Sequence, residues 1–306
     1  MQFTRAVARA LVVLAASAPL ASQAQEKGQT QFPTADAAVQ GLIRAVRARD
    51  TAGLVHILGT SSEKLVFSGD PVEDESGRQL FVKKAEESTK LVAVGDQTVL
   101  YVGPGRWPFP FPLRQAQSQW YFDTRAGLRE ALLRRIGENE LNAMEVCRAV
   151  TAAEALYRKT DYNADGVLEY AGKFRSSPGK QDGLYWPTKP GQPESPLGPL
   201  VAKAESEGYH GGKAQPVPYH GYYYRILKAQ GPHAPGGDYS YLIHGRMLAG
   251  FAVLAYPARW GASGVMTFII NQDGRLYQRN LGASTSNVAP GVSELNPDAN
   301  WQEVKE

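Results

Sequence analysis

The sequence predicts an α+β fold in two parts: N-terminal helices with a curved antiparallel sheet, a long connecting helix, and a C-terminal antiparallel sheet. Three observations carry this. Apolar residues recur at helical spacing between Thr34 and Ser88, as with Ala38, Leu42, Ala45 and Val46. A helical pattern then runs from Arg125 to Lys159. Finally, Leu248 to Tyr256, Val265 to Ile270 and Arg275 to Arg279 are strand-length runs, with Asn271-Gln272-Asp273-Gly274 as a tight turn before the last, which reads as a three-stranded antiparallel meander.

Taken in order, residues 1–24 form a unit of their own. Arg5 and Arg9 precede an apolar run from Ala10 to Ala18, and Ser22-Gln23-Ala24 places small residues where a signal peptidase cuts. The run is far short of the roughly 20 residues that span a bilayer, and Pro19 interrupts it. A signal peptide removed near Ala24, a periplasmic or secreted mature chain and no stable membrane span are the expectations. Residues 25–33 are polar and expected to be flexible.

A first part over residues 34–137 follows. Thr34 caps a helix with Asp36 in its first turn, where negative charge suits the helix dipole. Asp50-Thr51 starts a second helix that stops at Gly59, and Ser76 to Ser88 makes a third with Leu80, Phe81 and Ala85 on its apolar side. Lys90 to Val94 and Gln97 to Val102 are strands joined through Gly95-Asp96. In Gly103 to Pro112, Pro108, Pro110 and Pro112 alternate with Trp107, Phe109 and Phe111, so every second residue lacks an amide donor and the segment is an edge strand or a polyproline stretch. Its aromatics point one way in an extended chain, as a rim for a ligand or partner or as a plug for their own sheet. Ser118 to Asp123 completes a hairpin, and Thr124 caps the helix that follows, with a break expected at Gly137.

The second part covers residues 138–282. After the long helix, Asp161-Tyr-Asn163-Ala-Asp165-Gly166 matches the first half of a calcium loop, with Glu169 at the ninth position but Gly172 where a bidentate Glu belongs. Asp161, Asn163, Asp165 and Glu169 are therefore candidate calcium ligands, and a solvated turn is the alternative. Lys173 to Gln215 is Gly- and Pro-rich loop apart from a short helix near Leu200 to Glu207. Tyr219 to Lys228 returns to strand, with Tyr222, Tyr224 and Ile226 on one face and Tyr223, Arg225 and Leu227 on the other. Residues 283–306 are expected to be a loosely attached tail.

Composition narrows function by exclusion. Loss of Arg5 and Arg9 lowers the formal charge of +3 by two, to +1, and no concentrated basic face argues for nucleic acid. The single cysteine, Cys147, has apolar neighbours and reads as a buried inert thiol. No two of the five histidines have zinc spacing. Ser61–Lys64 and Ser177–Lys180 fit Ser-x-x-Lys without the companion motifs of penicillin-binding enzymes. Glu73/Asp74 and Glu86/Glu87 read as ordinary helix surface. The exposed aromatics Trp107, Phe109, Tyr222, Tyr223 and Tyr224 are left as the candidate ligand or partner surface.

Three resemblances bear on this. GYYYRILKAQGPHAPGGDYSYLIHGRMLAGFAVLAYPARWGASGVMTFIINQDGRLYQRNLG, with RRIGENELNAMEVCRAV and DGVLEYA, resembles the bacterial exported DUF2950 proteins, a likeness that implies no reaction or cofactor. Helices leading into Trp120-Tyr-Phe-Asp-Thr124 resemble NTF2-like folds, which implies either a pocket enzyme or a non-catalytic binding module. Ala-Glu-Ala-Leu-Tyr-Arg, Leu-Glu-Tyr-Ala and Gly-Val-x-Thr-Phe are similar to the globular part of type IV pilins and pseudopilins, which implies a long helix packed on a pilin-like sheet. The expectation is a non-catalytic envelope binding or assembly module without a required cofactor, linked to an unknown envelope protein or small ligand. The alternative is a small-molecule-binding or hydrolytic enzyme with an NTF2-like pocket.

Overall fold

The computed structural model describes residues 25–210 and 216–305; the expected signal peptide, residues 1–24, lies outside them. The fold is α+β, with two hydrophobic cores joined by one helix.

In the first lobe, α1 (Ala35–Arg47) begins where Thr34 Oγ1 accepts the Ala37 amide at 3.0 Å, and it buries Ala38, Leu42, Ala45 and Val46. Asp50 caps α2 (Thr51–Leu58), which ends at Gly59 with φ +93°. A single turn, α3 (Glu63–Val66), precedes α4 (Pro71–Glu87). That helix starts five residues before the expected Ser76, because Asp70 and Pro71 supply a cap and a pre-set first turn. Five strands follow: β1 (Thr89–Val94), β2 (Gln97–Val102), β3 (Trp107–Pro108), β4 (Leu113–Ala116) and β5 (Gln119–Phe122). They form one antiparallel sheet in the order β1-β2-β4-β5, with β3 also paired to β2. The β4–β5 turn holds Gln117 and Ser118 at φ +48° and +64°, the left-handed pair that a tight hairpin needs.

Residues 25–33, expected to be flexible, are tied to this lobe. Phe32 and Trp120 exchange backbone hydrogen bonds of 2.8 and 2.7 Å, and the buried Gln29 amide donates to the Ile57 and Phe122 carbonyls.

The long helix α5 (Thr124–Tyr157) runs 34 residues without the expected break at Gly137. One glycine costs a helix about 1 kcal/mol, and the strong helix formers on either side outweigh it. Asp123, rather than Thr124, is the cap, accepting the Ala126 amide at 3.0 Å. The N-terminal half of α5 joins the first core at such close quarters that a Cβ on Gly127 would lie 2.1 Å from the Phe111 ring. The C-terminal half brings Ala143, Val146, Cys147, Val150 and Ala153 into the second core. Cys147 is fully buried there, and burial pushes its thiol up to about 12.

In the second lobe, α6 (Gly198–Ser206) lies in the long irregular connection. Next come β6 (Tyr222–Leu227) and two short hairpins, β7 (Ala229–Gln230) with β8 (Tyr239–Ser240) and β9 (Leu242–Ile243) with β10 (Arg246–Met247). The expected meander is present as β11 (Ala252–Pro257), β12 (Met266–Asn271) and β13 (Leu276–Asn280), turning where the Gly274 amide reaches the Asn271 carbonyl. The first of these strands begins four residues later than expected, after Gly250 at φ +149°.

The tail is the main departure. Instead of hanging loosely it forms α7 (Thr285–Val288) and β14 (Gln302–Glu303), completing the sheet order β14-β13-β12-β11-β6. Arg225 donates to the carbonyls of Ala289, Pro290 and Val292, and Leu295 is fully buried. The sheet is thus covered by α5 on the Tyr222/Tyr224 face and by the tail on the Tyr223/Arg225 face. Carbonyl contacts and a few apolar side chains do this, which leaves no periodic pattern in the sequence.

Candidate functional site

A cleft of about 490 Å³ opens in the first lobe between α4 and α5, closed at the back by α1 and α2 and at one side by β3 and the chain after it. Its apolar end is aromatic. Phe109 is the hub, with ring centroids 5.3 Å from Phe81, 6.4 Å from Trp107, 5.8 Å from Phe111 and 6.0 Å from Phe122. The alternation of proline and aromatic residues puts this row on one side of the chain, graded from the fully buried Phe111 to Trp107, which is 40% exposed. Leu80, 53% exposed, stands at the same mouth. Arg134 packs over the Trp107 ring at 5.7 Å while donating to the Pro108 carbonyl and to Glu130.

The other end is polar and meets the second lobe. Asp70 caps α4 through Oδ1, and its Oδ2 accepts the Tyr209 hydroxyl and the Gly221 amide, each at 2.9 Å. Gly221 has φ +71°, and a Cβ on it would lie 2.6 Å from the Asn139 amide nitrogen and 2.8 Å from the Ser263 Cβ, so only glycine fits this approach of the lobes. From α5, the Asn139 Nδ2 donates to both Glu73 oxygens, at 3.2 and 3.1 Å, and to the Ser263 carbonyl at 3.1 Å. Arg135 donates to the Leu65 carbonyl at 2.9 Å and stands 3.9 Å from Glu73 and 3.6 Å from Asp74. Arg259 reaches across to the Phe67 carbonyl at 2.8 Å.

The electrostatics follow from burial. Glu73 is pushed up to about 7 by desolvation, which Arg135 and Asn139 oppose and the neighbouring charges of Asp70 and Asp74 reinforce. Asp74 is raised as well, first by burial, against the Ser68 amide at 2.9 Å and Arg135. Its Oδ1 has no hydrogen-bond partner among the described residues. His220, with φ +48°, lines the same end and stands 3.2 Å from Glu207. Glu73 and Asp74 are therefore not the ordinary helix surface that the sequence suggests. With α4 begun at Pro71 instead of Ser76, both fall in its first turn and face α5; the Asp70-Pro71 pair is the signal that locates them. Glu86 does lie on the surface, paired with Arg47.

Among the residues singled out from the sequence, Trp107 and Phe109 line the cleft. Tyr222, Tyr223 and Tyr224 lie elsewhere and are not an exposed surface. Tyr222 is fully buried with its hydroxyl on the Met266 carbonyl, Tyr224 donates to the Tyr219 carbonyl, and Tyr223 packs on Tyr256 at 5.5 Å. A strand covered on both faces hides both sets of an alternating pattern.

The acidic loop is folded around an arginine. Asp161 accepts the amides of Gly166 at 2.7 Å and Asn163 at 3.2 Å, and Asn163 donates to Glu169. Arg246 stands 2.8 Å from Asp165 and 2.9 Å from Glu169, so a guanidinium occupies the position where a cation would draw these carboxylates together. Among the described residues no group of three or more His, Cys, Asp or Glu is placed to hold a metal ion.

Among the described residues no helix is long and apolar enough to cross a membrane. A family model described as "Protein of unknown function (DUF2950)" matches residues 29–304. No curated protein and no solved structure matches the chain.

Proposed function

The chain belongs to the DUF2950 family, whose description assigns no activity, and from that premise we propose that it is an exported small-molecule-binding protein whose ligand lies in the cleft between α4 and α5. One observation carries the reading: Leu80 and Trp107 stay substantially exposed at the mouth of a hollow whose walls are Phe81, Phe109 and Phe111. Exposed apolar groups around a concave, mostly apolar space with a few polar groups at one end are what a ligand site requires. Helices backed by an antiparallel sheet around a pocket are also what an NTF2-like lobe would supply, and a long helix on an antiparallel sheet is what a pilin-like module would supply. Export to the periplasm rests on residues 1–24 alone. An assembly role through exposed tyrosines loses its support with Tyr222 inside the core.

The test is fluorescence titration with the neutral apolar probe N-phenyl-1-naphthylamine. Emission rises with the wild type, and Leu80→Arg, a change at an exposed position, weakens binding about tenfold, the factor that 1.4 kcal/mol represents. Absence of enhancement, or equal enhancement with Leu80→Arg, refutes the reading. A second reading, a hydrolytic enzyme, is favoured by the Glu73 carboxyl alone, since a group titrating near 7 in a cleft suits general acid–base work. It requires turnover of a p-nitrophenyl ester that disappears in Glu73→Gln.

A further inference from the structure

We propose that the polar end of the cleft binds the ammonium group of an amphiphile whose apolar body lies along α4 against Leu80, Phe109 and Trp107. This rests on the reading of the cleft as a ligand site. Glu73 and Leu80 are seven residues apart on one helix, about 10 Å at 1.5 Å per residue, which sets the length of the body.

The sign of the head group comes from how the lining charges are used. Arg134 and Arg78 are paired with Glu130 and Glu75 at 2.8 and 3.4 Å, on the same helices as themselves. Arg135 is the cation shared between Glu73 and Asp74, and at 3.9 and 3.6 Å it makes a hydrogen bond to neither. Two partly desolvated carboxylates, with Asp70 close to Glu73, therefore share Arg135, and Arg78, already paired with Glu75, is the further cation that acts on Asp74. Asp74, which lines the cleft, is nine-tenths buried, and its Oδ1, 3.6 Å from Arg135 Nη2, has no hydrogen-bond partner among the described residues. An orphaned buried acceptor costs about 1–3 kcal/mol, and a ligand donor removes that cost. An ammonium group carries three donors and no acceptor, which suits Asp74 Oδ1 and the two Glu73 oxygens. A carboxylate head would add a fourth acid beside Asp70, Glu73 and Asp74. A neutral hydroxyl would leave the excess charge unpaired.

The same geometry links binding to pH. The groups that face Glu73 are Asp70 at the cap of its helix, Asp74 on the helix itself, and Arg135 and Asn139 on α5, with Glu138 and His220 lining the same cleft. A cation placed among them favours the ionised carboxyl. Below about pH 7 Glu73 then gives up a proton as the ligand binds, whereas an alkylamine, with a pKa near 10, keeps its charge.

The experiment is calorimetric titration of the full protein with n-octylamine, 1-octanol and n-octanoate at pH 6, 7 and 8, in buffers of differing ionisation enthalpy. The amine is expected to bind about tenfold or more tightly than the alcohol, to gain affinity as pH rises, and to release protons at pH 6. Glu73→Gln and Asp74→Asn are each expected to bring the affinity ratio of amine to alcohol close to one. If either variant fails to fold, the wild-type pH series decides alone. Equal affinities for amine and alcohol overturn the ammonium proposal and leave the cleft as a ligand site. Tightest binding of octanoate overturns it in favour of an anionic head at Arg135. Binding of none of the three removes the ligand site and the proposal together.

Discussion

Replacing Asp70 by alanine removes four hydrogen bonds from one wholly buried carboxylate, two within α4 and two across the joint between the lobes. Loss of the helix cap costs about 1 kcal/mol. The Tyr209 hydroxyl and the Gly221 amide are then left buried without their acceptor, at about 1–3 kcal/mol each. The total, about 3–7 kcal/mol, is a large fraction of the 5–15 kcal/mol by which folded proteins are ordinarily stable. Asp70→Asn keeps an oxygen for the cap and costs less, and Tyr209→Phe, which leaves Asp70 its three amide donors, costs about 1 kcal/mol. Guanidinium unfolding of the three single variants and of the Asp70→Ala/Tyr209→Phe pair measures this. The pair is expected to be less destabilised than the singles added together, because both remove one shared bond. An Asp70→Ala variant within 1 kcal/mol of wild type, or strict additivity, would refute the claim that Asp70 holds the lobes together.

Glu154 predicts a pH dependence. It is fully buried, accepts the Ala171 amide at 2.8 Å, and is pushed up to about 8 by burial. The unfolded chain loses the same proton near pH 4.3. The group therefore contributes stability in full below pH 4.3 and loses it as pH rises to 8, on the order of 4–5 kcal/mol in all. Glu154→Gln should flatten the melting temperature over that range, and curves parallel to wild type would contradict the assignment. Arg225→Met unties three tail carbonyls and should make the segment after Gly282 the first site of limited proteolysis; an unchanged cleavage pattern would mean that other contacts hold the tail. Because Arg246 holds Asp165 and Glu169, millimolar calcium should leave the melting temperature unchanged, whereas a rise would show that the ion displaces the arginine.

Much of the fold was legible because local chemistry decided it. Thr34 and Asp50 begin helices where capping side chains should, Gly95-Asp96 turns the first hairpin, and Asn271 to Gly274 turns the last. What stayed hidden depended on tertiary cover. Tyr222 and Tyr224 alternate with Tyr223 and Arg225 as in a half-exposed strand, yet α5 covers the first pair and the tail closes the other face, held through backbone carbonyls that no side-chain pattern reveals. In the site, Trp107 and Phe109 could be found because proline spacing fixes their common direction. Glu73 and Asp74 could not be found once α4 was started at Ser76, since a helix begun five residues late omits its own first turn. Arg246 lies 81 residues from Asp165 in sequence, so the neutralised acidic loop looks like a vacant ion site until the chain is folded.

The most direct test of the cleft is a heteronuclear NMR titration with 1-octanol, read by chemical-shift changes along the assigned chain. A ligand between α4 and α5 should move the resonances of Leu80, Phe81, Trp107, Phe109 and Asn139 together, with one dissociation constant. Shifts confined to the Tyr223–Tyr256 face, or scattered over both lobes without a common constant, would contradict the account.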